Sequence, residues 1–384
     1  DDSTDGSCAI SRETVRELQQ SGLAIELLHR SRRGAFKAGA LAAGLRRSDA
    51  PFVAIFDADF APPPSYLRET VEVLVADPSL AFVQTRWGHL NSGKNLLTRV
   101  QVRLLDAHFR VEQEARHRLG LPVPFNGTCG VWRRAAILDA GGWQGDTLTE
   151  DLDLSLRARL RGWRSAYLND VLVPGVLPES AQAWRAQQFR WSKGFVQCAI
   201  KLTPLVWGSD ALPLWQRVMV TLQMAQPLAF LLGLACTLLG LPIIAGEVVA
   251  GPELTRLALA TSVLGLLGPL GFLAAGVGLD TRARAIRELL GTLFLTTGLL
   301  LSNARAGIEA LLGHASAFVR TPKPGGDRGG CGTSPAPLRH DGMLELGAGL
   351  GLLSFALLER PMSVFYLTLV IGGLLVLGAL QLLD

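Results

Sequence analysis

Residues 217–245 and 256–279 are each apolar for longer than the roughly 20 residues that cross the hydrocarbon core of a bilayer. A chain with two such stretches is expected to hold its second half as helices in lipid. The flanking charges set a direction. Gly246–Glu253 carries acids and no base, whereas Asp280–Glu288 holds Arg282, Arg284 and Arg287. The positive-inside rule places the arginine loop in the cytoplasm and the acidic loop outside. The next apolar run, Leu289–Leu301, is short for a span before Asn303, Arg305 and Glu309 interrupt it. A crossing there would also expel the basic loop with Arg320 and Lys323. Residues 289–312 therefore read as an interfacial or re-entrant helix, and 313–342, rich in Gly and Pro, as a cytoplasmic loop. Two further spans, 343–358 and 362–383, turn back at Glu359-Arg360-Pro361.

The first half has a different texture. Strand-like and helix-like segments alternate from the start to about residue 170: helix at 12–20, strand at Ala24–Leu28, helix at Phe36–Arg46, buried strand at Phe52–Phe56. A helix at 65–76 follows Pro62-Pro63-Pro64, then a short strand at Leu80–Thr85 and a long helix at 92–118. Another helix begins after Thr149, with Leu152, Leu156 and Leu160 four residues apart, and stops at Gly162. Such alternation predicts an α/β sheet flanked by helices. The stretch 182–201 is amphipathic, mixing Trp184, Phe189, Trp191, Phe195 and Ile200 with Arg185, Arg190, Lys193 and Lys201, and reads as an interfacial helix. The expected organisation is a catalytic domain at 1–181, that helix at 182–203, and a membrane region at 204–384.

The net charge of +4 comes without one long basic stripe, so no nucleic-acid partner is expected; positive cytoplasmic loops account for the excess. Cys8, Cys129, Cys198, Cys236 and Cys331 are scattered, odd in number and without a C-x-x-C pair. That argues against a disulfide framework or zinc site and suits a reducing compartment.

Three short motifs carry the chemistry. Asp57-Ala58-Asp59 ends the run Phe52–Phe56, and the carboxyl ends of strands in open α/β sheets are where ligands bind. Taken alone, the pair also reads as a solvated strand end or a cap before the prolines. Thr149-Glu150-Asp151 offers a positioned carboxylate, and equally a helix N-terminus where hydroxyl caps and acids are favoured. In Gln187-Gln188-Phe189-Arg190-Trp191, Gln187 and Arg190 share a helical face. Arg190 presents a planar fork suited to phosphate, and Trp191 a flat face suited to a sugar ring. An interfacial helix with aromatic anchors explains Trp184 and Phe195 as well.

In this order, ahead of a membrane region, the motifs resemble the processive family 2 glycosyltransferases: cellulose synthases and, closer in wording, mannan and glucomannan synthases. Asp1-Asp2-Ser3-Thr4-Asp5, Phe36-Lys37-Ala38-Gly39-Ala40-Leu41, Phe125-Asn126-Gly127-Thr128, Ala140-Gly141-Gly142-Trp143 and Phe318-Val319-Arg320-Thr321-Pro322-Lys323 extend the likeness over nearly the whole chain. The resemblance implies a nucleotide-diphospho-sugar transferase domain of the GT-A type, followed by an α-helical membrane domain in a plasma, inner or Golgi-type membrane, with catalysis on the cytoplasmic side. It implies a Mg²⁺ or Mn²⁺ ion on Asp59 and Asp57, the latter also contacting sugar or ribose, because a hard cation suits a departing diphosphate. It implies Asp151 as the general base, with Glu150 beside it. Gln187, Arg190 and Lys37 are expected on the diphosphate, Trp191 at the acceptor end, and Asn126, Gly127 and Thr128 along the acceptor path. Asp1 or Asp2 is expected at the base or ribose, and Thr321 and Lys323 in a gating loop; Arg320 departs from the apolar residue of cellulose synthases. By the same likeness the Asp1-Asp2 pair closes a first strand, so the chain is expected to lack that strand and any helix before it.

The implied partners are a nucleotide-sugar donor (GDP-mannose or UDP-glucose), a glycan acceptor and the bilayer. The implied reaction is inverting, processive extension of a β-linked polysaccharide. Two alternatives stay open: transfer of one sugar to a lipid, as in ceramide glucosyltransferases, and a non-catalytic export subunit or transporter. The spans carry almost no ionisable residues, which counts against a transporter.

Overall fold

The computed structural model describes residues 6–32, 34–244, 251, 253, 267–276, 282–315, 338–359 and 363–383. Asp1, Asp2, Thr321 and Lys323 lie outside the described residues, as do most of the expected span at 256–279 and most of the loop at 313–342.

The N-terminal half is built on a four-stranded mixed sheet of order β1-β3-β2-β4 among the described residues. Its strands are β1 (Phe52–Ile55), β2 (Leu80–His89), β3 (Gly130–Arg133) and β4 (Arg164–Gly175). β3 runs antiparallel to both β1 and β2, and β4 runs parallel to β2. One face is covered by α2 (Phe36–Leu45), α6 (Arg134–Asp139) and α7 (Glu150–Leu160), with Ala38, Ile137 and Leu154 packed on Phe82, Phe125 and Trp132. The Phe82 and Trp132 ring centroids lie 4.4 Å apart. The other face takes α3 (Tyr66–Ala76), whose Tyr66, Thr70 and Leu74 recur every four residues and are buried. The prolines ahead of it fix the chain direction into its first turn.

Several expected elements hold, and the differences have physical causes. Helix α1 spans Ser7–Gln20. Residues 24–28 have the composition of a strand but no ladder partner among the described residues, and Leu23 is 55% exposed. β1, expected as a buried strand, is only half-buried, because within the described residues it pairs on one side alone. β3 and β4 were not anticipated. β3 is too short for a period, and β4 is broken by polar residues and a register shift between Thr85 and Arg86 of its partner.

The long helix at 92–118 is continuous but not uniform. It comprises α4 (Leu96–Asp106), a π-helical segment (Ala107–Gln113) and α5 (Glu114–Arg118). Asn95 and Thr98 close a capping box at its start.

Helix α8 (Ala181–Trp207) leads into the apolar half. Ser180 caps it, accepting from the Ala183 amide. It is not spread on a surface: Trp184, Arg185, Lys193, Gly194 and Cys198 are buried between α7 and the later helices. The run at 217–245 divides into α9 (Leu214–Ala225) and α10 (Leu228–Ile244), which bend by 64° where they meet. Next come a short apolar helix, α11 (Leu267–Gly276), then α12 (Arg282–Gly298) and α13 (Leu300–Leu311) in place of one interfacial helix. The last pair, α14 (Leu338–Glu359) and α15 (Ser363–Leu383), packs as a hairpin with Gly349 and Gly378 at the close approach. Among the described residues one helix stretch, Asp341–Leu358, is long and apolar enough to cross a membrane, and a second if α9 and α10 count as one bent span.

Candidate active site

Everything expected of the DxD motif depends on how the chain leaves β1. Asp57-Ala58-Asp59 follows Ile55 within two residues, and a bridge between Phe60 and Gly175 then pins the turn to the end of β4. The Ala61 amide adds a bond to the Pro174 carbonyl at 2.9 Å. A Cβ on Gly175 would stand 2.5 Å from the Phe60 ring, so glycine is required for that closure.

Asp57 is tied into the site from two sides. Lys37 Nζ reaches its Oδ1 at 2.5 Å, and its amide donates to Thr128 Oγ1 at 2.8 Å. Lys37 also donates to the Gly127 carbonyl at 2.9 Å. Burial opposes the charge on Lys37, but Asp57, Glu150 and Asp151 prevail and raise its pKa above the usual lysine value. The loop Asn126-Gly127-Thr128 thus meets α2 and β1 through one ammonium. Gly127 has φ +81°, and a Cβ there would lie 2.8 Å from Asp151 Oδ2 and 3.6 Å from Lys37 Nζ. Only glycine lets the loop pass this close to Asp151.

Asp151 stands in the first turn of α7. Its Oδ1 accepts from the Leu152 amide at 2.8 Å. Burial, reinforced by the Glu150 charge, lifts its pKa to about 7, so the helix N-terminus does not keep it strongly acidic. Burial raises Glu150 as well, against the pull of Lys37 and Arg190. Arg190, on α8, is shifted below the usual arginine value by burial, although Glu150, Asp57 and Asp151 all favour its charge. Gln187 and Trp191 are half-buried on the same helix. Lys37, Asp57, Gly127, Glu150, Asp151 and Arg190, drawn from five separate stretches of chain, therefore share one site.

No three His, Cys, Asp or Glu side chains among the described residues form a closed metal cage. The donor set fits the open kind of site instead. Mg²⁺ and Mn²⁺ are held by one or two carboxylates, with substrate phosphates and water completing the shell. Asp57 and Asp59 supply two carboxylates two residues apart at the end of β1.

Some of the machinery left little trace in the sequence. Gln84, wholly buried on β2, donates to the carbonyls of Thr85, Thr128 and Cys129, and its Oε1 accepts from the Asn126 amide at 2.9 Å. One side chain thus shapes the whole 126–129 loop. Cys129 is left-handed at φ 59°, a conformation that costs on the order of 1–3 kcal/mol and that the surrounding bonds impose. Gly194 is the second case. A Cβ on it would meet the Thr149 side chain at 2.6 Å and the Thr149 amide at 2.9 Å. Helix α8 can approach the head of α7 only because residue 194 is glycine, and an isolated glycine inside a helical pattern was the available signal.

Residues 1–194 match the family described as "Glycosyltransferase like family 2". The chain is 42% identical over 224 residues to "Glucomannan 4-beta-mannosyltransferase 2" of Arabidopsis thaliana, covering 57% of this chain and 42% of that protein. It is 40% identical over 227 residues to "Probable glucomannan 4-beta-mannosyltransferase 9" of Oryza sativa subsp. japonica, with the same coverage of 57% and 42%. The chain therefore spans about two fifths of the length of the curated relatives it matches. Among solved structures it is similar in fold to "Mannosyltransferase PcManGT from Pyrobaculum calidifontis in complex with GDP-Man and Mn2+". That match has a TM-score of 0.51, 19% identity, and covers 80% of this chain and 75% of that one. The likeness establishes a GT-A fold around the mixed sheet. With just over half of its 384 residues matched by one family, this chain belongs to glycosyltransferase like family 2.

Proposed function

We propose that this protein is a membrane-bound, inverting, processive glycosyltransferase that extends a β-linked polysaccharide from a nucleotide-sugar donor, GDP-mannose before UDP-glucose. The observation that carries this reading is Asp151: a carboxylate with its pKa near 7, against a glycine loop and within the fields of Lys37 and Arg190. A base poised near neutrality beside two phosphate-seeking cations is what sugar transfer requires. The names of the relatives favour a mannosyl donor.

In this reading Asp151 takes the proton of the acceptor hydroxyl as its oxygen attacks the anomeric carbon. With no enzyme nucleophile intervening, the configuration inverts. Lys37, Gln187 and Arg190 hold the diphosphate; Trp191 frames the acceptor end, and Asn126, Gly127 and Thr128 line its approach. Asp57 and Asp59 hold the divalent cation, which when bound draws negative charge from the leaving diphosphate. Asp1, Asp2, Thr321 and Lys323 keep the roles the resemblance gives them, at the nucleotide and in a gating loop. Residues 1–181 form the cytoplasmic catalytic domain and 204–384 the membrane region. The membrane assignment is supported by α14, of whose apolar stretch only 22% is buried, whereas the core helix of a soluble protein is mostly buried.

The test is incubation of the full-length protein in lipid with a panel of labelled nucleotide sugars, wild type beside Asp59→Asn. Wild type is expected to incorporate mannose into a polymer in the presence of Mn²⁺ or Mg²⁺. Asp59→Asn is expected to retain under a tenth of that activity at the same metal concentration, about 1.4 kcal/mol or more of lost transition-state stabilisation. Metal-independent activity, or an unaffected variant, overturns the metal assignment. A single sugar on a lipid product would favour the lipid-acceptor reading.

A further inference from the structure

Helix α2 begins in a conformation that its residues resist. Ala35 has φ 56° and ψ 22°, and Phe36 has φ 42°. Both lie in the left-handed region, where a non-glycine residue is strained and a bulky one is an outlier. A glycine stands beside them, yet Gly34 is not the left-handed residue. Lys37 follows at once, in the first turn of α2, where the helix dipole disfavours a cation. The strain therefore sits directly against the side chain whose ammonium reaches Asp57 and the Gly127 carbonyl.

The turn is held from two sides. Arg30, half-buried, donates from Nη1 to the Gly34 carbonyl at 3.1 Å and from Nη2 to the Phe36 carbonyl at 2.9 Å. One guanidinium thus grips the carbonyls on either side of Ala35, a use of its rigid fork that a lysine cannot match. Gly39 makes room for it: a Cβ there would stand 2.5 Å from Arg30 Nη1. The Gly39 amide also closes the first turn on the Ala35 carbonyl at 2.9 Å. From the other side Gly145 backs onto the turn, and a Cβ on it would lie 2.4 Å from the Ala35 Cβ. The reaction proposed above gives Arg30, Gly39 and Gly145 no part.

We propose that Arg30 is a positioning residue for the donor diphosphate: it locks the left-handed turn at Ala35-Phe36 and so fixes where Lys37 presents its ammonium. The inference rests on the glycosyl-transfer reading, in which Lys37 holds that diphosphate. Arg30 grips main chain on both sides of the strained residue, so losing it lets the turn relax. Lys37 then leaves its place beside Asp57, while Asp57 and Asp151 keep theirs. The strain is what it takes to hold the ammonium ready before the donor arrives, which is preorganisation.

The experiment measures calorimetric binding of GDP with Mn²⁺ to the full-length protein in detergent; UDP replaces GDP if wild type binds UDP alone. The proteins are wild type, Arg30→Gln, Lys37→Gln, the two substitutions combined, and Ala35→Gly. Partial unfolding lowers the number of sites but not Kd, so a merely structural role for Arg30 leaves Kd unchanged. Arg30→Gln is expected to raise Kd about tenfold, Lys37→Gln about tenfold or more, and the combined variant no further than Lys37→Gln alone. Effects that multiply in the combined variant would mean that Arg30 touches the ligand itself, and would overturn the positioning role. An unchanged Kd in Arg30→Gln overturns it too. Ala35→Gly relieves the strain and frees the turn, and it decides the matter if Arg30→Gln does not fold. It is expected to unfold at the wild-type temperature or above while binding the nucleotide about threefold more weakly. Wild-type affinity in that variant, or stability and affinity falling together, overturns the role of the turn and leaves the glycosyltransferase reading intact. A wild-type protein that binds neither nucleotide overturns that reading, and the inference falls with it.

Discussion

At the scale of single residues, the site is decided by what surrounds Asp151. A carboxylate whose pKa lies near 7 is protonated in acid and cannot accept a proton there. It becomes a competent base as the pH rises through that value. The kcat/KM of the wild type is therefore expected to rise with pH, with a midpoint near 7, and then to level off. Asp151→Asn should lower turnover by about 10² or more and remove that acid limb, while donor affinity changes little. A limb of the same midpoint in the variant would assign it to another group, Glu150 first, since the two carboxylates share a site and both are raised. Much of this was legible in sequence. The motifs singled out Asp57, Asp151 and Arg190, which lie close together in the structure, because each motif's spacing is local. The raised pKa was not legible, because burial and the approach of Lys37 come from a fold that brings residues 37, 57, 127 and 151 together. A helix N-terminus on its own would make Asp151 more acidic, and burial outweighs that dipole.

At the scale of elements, α8 is the part that periodicity described least well. Its mixture of aromatic and basic residues suits an interfacial helix, yet the structure buries two of those bases. Lys193 is fully buried and pairs with Glu309 of α13 at 2.9 Å. Arg185 pairs with Asp341 at 2.8 Å and Glu345 at 3.0 Å, both on α14. These partners lie 116 and 156 residues away for the hydrogen bonds to Glu309 and Asp341, a distance that no local pattern records. Both anchors bracket Gln187, Arg190 and Trp191 in sequence, so the C-terminal helices hold α8 in place from its other side. Removing one member of a buried pair strands the other. Lys193→Met alone is expected to destabilise the protein by about 3–5 kcal/mol, and Lys193→Met with Glu309→Leu to regain most of it. Thermal unfolding of the two variants in matched detergent measures this. A double variant no better than the single one would mean the pair is not the link between α8 and α13. Glu309 also bonds Arg305 at 2.8 Å, which sets a floor on how completely the double variant can recover.

At the scale of the whole molecule, the described helices of the apolar half differ in layout from the expected spans. Where one span was expected at 217–245, α9 and α10 bend by 64° at the Gln226-Pro227 step. A proline lacks the amide that would continue the helix, so the kink has an ordinary cause. Beyond the bend, α10 turns Leu232, Leu238 and Leu239 outward, at 66%, 56% and 74% exposure, and Cys236 is exposed among them. That much outward leucine on one helix is favourable in lipid and unfavourable in water. If α10 sits in the bilayer, a variant keeping Cys236 as its one cysteine should be labelled in intact membrane vesicles by an apolar maleimide. A charged, membrane-impermeant maleimide should label it only after detergent is added. A variant keeping only Cys8, half-buried on α1 of the N-terminal half, is the control and should react with the charged reagent wherever that face is open to solvent. Rapid labelling of Cys236 by the charged reagent in intact vesicles, from either side, would put α10 in water. The membrane placement of the α9–α10 pair would then be wrong, and its exposed leucines would need a protein partner to cover them.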